Sequence, residues 1–244
     1  MSRITERERQ TAAVLLVVFS ALTLGMLIFE VILATNTEPN TTWSDFVSKS
    51  RISFVMPYFL AYLVIGAAGF AGTVGLVQVY GQGQALLSEI VRLSALAYFT
   101  VSCWLWSAVW IVEHKITLLT DTPTAAPEWL LRIYDATGAL WALPSWGSLG
   151  PAIVTFAGLA WLLNRGVTLL ARSSAALFAL LAVSRIVDLV YLGVTEGNVA
   201  NTGAIDFAFV NDLLFATGRI GAFLLAAAAL FVEKGVFRRR TRVA

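Results

Sequence analysis

Charge and reactive side chains are what this chain has least of. Only 13% of its 244 residues are charged, against about 25% in an ordinary soluble domain. One cysteine, Cys103, excludes a disulfide-stapled secreted domain. With one histidine, His114, beside it, the chain lacks the usual zinc ligand sets and cannot hold a haem between two histidines. The sequences HExxH, GxxxxGK, GxSxG and GxGD do not occur. The three lysines, Lys49, Lys115 and Lys234, fall at the edges of apolar segments, so a Schiff base inside a span is excluded. A net charge of +2 without a basic face gives nucleic acid nothing to bind. No cofactor and no metal site are expected, and enzymatic activity is not the first expectation.

Apolar residues are what it has instead, at 58%. A spanning helix needs about 20 of them in a row. Six segments qualify, at about 10–34, 53–80, 86–113, 147–164, 171–194 and 205–233. The expectation is an all-α, polytopic membrane protein, with residues 1–244 forming a single integral domain in the lipid bilayer. The run from Thr11 to Ala34 is longer than the roughly 7–15 residues of a signal-peptide core, so it is kept as the first helix.

Basic residues orient the bundle. With both termini inside, the cytoplasmic face holds Arg3, Arg7, Arg9, Arg165, Arg172, Lys234, Arg238, Arg239, Arg240 and Arg242. The outer face holds Lys49, Arg51, Lys115 and Arg132, a bias that predicts a cell (inner) membrane location with cytoplasmic termini. Trp43, Trp110, Trp129, Trp141 and Trp146 fall near the expected outer interface, where amphipathic rings prefer to sit.

The linkers are short or polar. Asn40-Thr41-Thr42 matches a glycosylation sequon, read here as a chance match. Gly81-Gln82-Gly83-Gln84 reads as a tight turn, and Asn164-Arg165-Gly166 makes helices four and five antiparallel neighbours. Residues 128–143 carry Glu128, Arg132 and Asp135 on one face and are too short to span, which predicts an amphipathic helix lying on the outer surface. A compact loop is the alternative. Phe70-Ala71-Gly72 and Phe156-Ala157-Gly158 begin similar stretches, a hint of a repeated hairpin. Gly66, Gly69, Gly72 and Gly75 line one side of helix two. They suit close helix packing, or contact with a membrane-protein partner.

Charges at membrane depth are the candidates for a site. Glu89 and Arg92, three residues apart, read as an interfacial pair, while Glu30 and Asp206 lie near helix ends. The informative set is Arg185, Asp188, Asp212 and Arg219, with Asn211 and Tyr191 beside them. At 1.5 Å per residue, Arg185, Asp188 and Arg219 come to roughly 20–24 Å from the cytoplasmic end, which predicts that Asp188 meets Arg219. Such a network either fixes helix register or lines a polar cavity that binds a small solute or relays protons. Three functions follow: a small transporter or permeation protein; a non-catalytic subunit or assembly factor of a membrane complex; an integral membrane enzyme acting on a lipid.

Overall fold

The computed structural model describes residues 5–36, 52–105, 128–194 and 207–233. Among the described residues all regular structure is helical, and six helices are long and apolar enough to cross a membrane. They are α1 (Glu6–Asn36), α2 (Ile52–Tyr80), α3 (Ala85–Phe99), α4 (Glu128–Asn164), α5 (Leu169–Val194) and α6 (Phe207–Val232). α3 runs directly into a π-helical turn, Thr100–Leu105. The sequon at Asn40, His114, Asp206 and the tail arginines lie outside the described residues.

Local chemistry sets several of the ends. Thr5 and Glu8 form a reciprocal capping box on α1: the Thr5 N–H donates to Glu8 Oε2 at 2.7 Å, and the Glu8 N–H donates to Thr5 Oγ1 at 3.2 Å. The expected turn after α2 is present. The Gln84 N–H donates to the Gly81 carbonyl at 2.9 Å, and Gly83 takes φ +80°, a conformation glycine adopts without a Cβ penalty. Glu89 and Arg92 pair as their spacing predicts, at 2.6 Å.

Each helix packs on the next in sequence, and α6 returns to pack on α1, closing a ring of six. Large aromatic side chains fill its middle. Phe19 of α1 meets Phe99 of α3 and Phe223 of α6 edge-on, at centroid distances of 5.8 and 4.8 Å. Tyr98 reaches Phe156 of α4, which stacks on Phe178 of α5 at 5.9 Å. Phe19, Phe99, Phe156, Phe178 and Phe223 are all fully buried.

α2 makes room for this plug by having no side chain where it meets it. A Cβ at Gly69 would collide with Phe99 and, at 2.8 Å, with Phe19; one at Gly72 would strike Leu16; one at Gly75 would strike Ala12. Gly66 faces Trp104 and Cys103 at 2.7 and 2.9 Å. The glycine face is therefore filled by α1 and by α3 with its π-helical turn, inside the same chain. The packing reading holds, and these four positions are not an outward contact surface.

One boundary differs from the expectation. Residues 128–143 and 147–164 are not separate elements; α4 is one helix of 37 residues. At 1.5 Å per residue it is about 55 Å long, well beyond a hydrocarbon core of about 30 Å. Within it, Gly147–Asn164 is long and apolar enough to count as a span. The helix continues through Pro144 and Gly147.

Candidate functional site

The register of α5 against α6 decides which charges can meet. Thr168 lies level with Glu233, Leu177 with Gly221, and Leu181 with Gly218. Carried one turn further, this antiparallel register sets Arg185 beside Phe215, and the Arg185 guanidinium indeed lies 3.7 Å from the centre of that ring. Asp188 then stands level with Asn211, and Arg219 level with about Leu180. Asp188 and Arg219 are separated by roughly eight residues of rise, about 12 Å.

The expected Asp188–Arg219 pair is accordingly not formed. Asp188 binds Arg185 on its own helix, with Nε and Oδ2 2.9 Å apart and both side chains largely buried. Depth counted from approximate helix ends put Asp188 and Arg219 at one level; the true start of α5 and the side-to-side register separate them. Tyr191, Asn211 and Asp212 belong to α5 and α6, but their side chains lie outside the described residues.

Arg219 points across the ring instead. Its Nη1 donates to the Tyr98 hydroxyl of α3 at 2.8 Å. Its guanidinium carbon lies 5.6 Å from the Phe19 ring of α1 and 5.6 Å from that of Phe215. Those distances give cation–π attraction. No carboxylate among the described residues pairs with it, and its Nε is buried with no hydrogen-bond partner. Tyr98 is set by its own surroundings: it is 3% exposed and wedged between Phe99 and Phe156. Ser102 donates to the Tyr98 carbonyl at 2.7 Å from within the π-helical turn, a type of irregularity that is frequent at functional sites.

A second buried charge, Glu233, is not among the candidates that the sequence offered. Glu233 is 1% exposed. Its Oε1 accepts from the Val167 N–H at 3.2 Å, the Thr168 N–H at 3.1 Å and the Thr168 hydroxyl at 2.9 Å. Thr168 in turn caps α5 by accepting from the Ala171 N–H at 3.2 Å. The signal in the sequence was the position itself. A carboxylate just after the C-terminus of α6 opposes that helix's dipole, so it needs another partner. The N-terminus of α5 supplies it. Tyr80, at the end of α2, and Arg9, near the start of α1, are also buried at this end of the bundle.

Comparison with protein-family models, curated proteins and solved structures gives no match to this chain.

Proposed function

We propose that the chain is a small multi-pass protein of the inner membrane, with both termini cytoplasmic, that binds a small solute inside its helix ring and passes it across the bilayer. The observation that carries this is Arg219. A guanidinium at membrane depth is costly unless it is paired or serves a pathway. Here it lies inside the ring, held by a neutral tyrosine and two aromatic faces, with no carboxylate on it among the described residues. Arg185, by contrast, has a carboxylate, Asp188, in contact with it on its own helix. The aromatic plug beneath Arg219 then acts as the barrier on the side of the chain termini.

The test is permeation by the full chain in liposomes. Vesicles loaded with glycerol, glycine, potassium acetate or potassium phosphate are shrunk osmotically, and their recovery is followed by light scattering. At least one solute is expected to pass severalfold faster than in protein-free vesicles, and Arg219→Gln to abolish the gain. Recovery equal to that of empty vesicles for every solute, or a gain that Arg219→Gln leaves intact, would remove the reading.

A further inference from the structure

We infer that the Arg219 site takes an anionic group, a carboxylate or a phosphate, as its ligand; the inference rests on the proposed binding role but not on transport. The charge balance is the first argument. Arg185 and Asp188 neutralise each other on α5. Arg219, more than one helical turn nearer the chain termini, brings a second positive charge, and its only hydrogen-bond partner among the described residues is the Tyr98 hydroxyl.

Geometry is the second. A guanidinium presents planar forks of N–H donors that match the two oxygens of a carboxylate or phosphate. Tyr98 occupies Nη1. On the other edge, Nε is buried without a partner. An unmade hydrogen bond on a buried charged donor is costly, so the site is incomplete as it stands.

The surroundings are the third. Phe19 and Phe215 offer ring faces that hold the cation in place without neutralising it. A cation would be repelled by the fixed positive charge, and a neutral solute could accept a hydrogen bond but would leave the charge uncompensated.

The ligand can be a dissolved anion or the headgroup of an anionic lipid, and the experiment separates the two. Thermal unfolding of the full chain is followed by tryptophan fluorescence in nanodiscs of phosphatidylcholine. Potassium phosphate, potassium acetate, tetraethylammonium chloride and glycerol are compared with potassium chloride at matched ionic strength. A parallel set uses phosphatidylglycerol.

Phosphate or acetate is expected to raise Tm by about 5 °C at a hundredfold excess over its dissociation constant. The rise should be lost in Arg219→Gln, which also removes any general salting effect from the comparison. A rise with phosphatidylglycerol alone, again lost in Arg219→Gln, keeps the anionic ligand and makes its source the lipid. No Arg219-dependent rise from any anion overturns the inference. So does a rise that is absent in the native chain and appears in Asp212→Asn, because Asp212 is then the counter-ion.

If Arg219→Gln does not fold, Tyr98→Phe serves. It removes one hydroxyl and should weaken the anion at least threefold by releasing the guanidinium it aims; an unchanged response counts against the site. An anion that stabilises the chain but is not transported defeats the transport reading and leaves this one standing. Glycerol flux without any anion response does the reverse.

Discussion

The bundle holds two polar clusters, and they are built on opposite terms. At the end that carries the chain termini, a buried negative charge gathers three donors on one oxygen, while its other oxygen, Oε2, has no hydrogen-bond partner among the described residues. Three donors converge on Oε1 of Glu233, all from Val167 and Thr168 just before α5, where the helix dipole also favours an anion. Further into the ring, a positive charge is under-satisfied. Arg219 has one neutral partner and two aromatic faces, and one buried nitrogen with no partner. The first arrangement ties the start of α5 to the end of α6. The second holds a charge with one neutral hydrogen-bond partner. Burial and one unmet atom are common to both; the number and kind of partners gathered differ, three donors on Glu233 against one hydroxyl on Arg219.

The largest effect expected from this contrast is at Glu233. Glu233→Ala removes one acceptor from two backbone N–H groups and one hydroxyl at once, in a place where water replaces it poorly. A loss of about 3 kcal/mol of stability is expected, from the cost of buried unmet donors. Glu233→Gln keeps a carbonyl oxygen near the same donors and should lose less than half of that. Thermal unfolding in detergent, followed by tryptophan fluorescence, measures both. If Glu233→Ala melts with the native chain, the fastening role is wrong and the contrast between the clusters fails with it.

How much of this could be read from the residues alone differs between the fold and the site. The six spans were legible because bilayer thickness imposes a length on every apolar run, and composition shows that directly. The end of the separate surface helix was not. Pro144 and Gly147 are local stop signals, but a continuous helix satisfies the backbone through them. The glycines of α2 were legible as a packing face, but the aromatic plug they fit against was not, since which helix faces which is set by closure of the ring. Arg185, Asp188 and Arg219 stood out as charges in apolar helices. Their partners did not, because a few residues of error at the helix ends moves a side chain by several ångströms and past its neighbour. Glu233 was hidden by Lys234 and the arginines that follow it, which made it look like part of a solvated tail.

An intermediate effect tests the register that separates the two arginines. Asp188 and Arg185 are in contact, whereas Asp188 and Arg219 are about 12 Å apart along the bundle. A double-mutant cycle on Asp188→Ala and Arg185→Ala should therefore show coupling of about 1 kcal/mol or more. The matching cycle on Asp188→Ala and Arg219→Ala should be additive to about 0.5 kcal/mol. The reverse order, with the stronger coupling to Arg219, would restore the cross-helix ion pair and remove the uncompensated charge on which the site rests.

The smallest expected effect supplies the scale for the others. Ser174 of α5 donates to the Ala222 carbonyl of α6 at 2.8 Å, and both residues are fully buried. This is a neutral bond on the same helix pair that holds Glu233 to Thr168 and places Arg185 beside Phe215. Between membrane helices such bonds average about 0.6 kcal/mol, because the alternative states also find partners. Ser174→Ala should cost about that much, since the Ala222 carbonyl keeps its place in the helix and only a side-chain donor is lost. The same unfolding measurement then compares one neutral bond with the three-donor cradle of Glu233. If Ser174→Ala costs as much as Glu233→Ala, the stability of this end of the bundle comes from general α5–α6 packing, and charge satisfaction no longer distinguishes the two clusters.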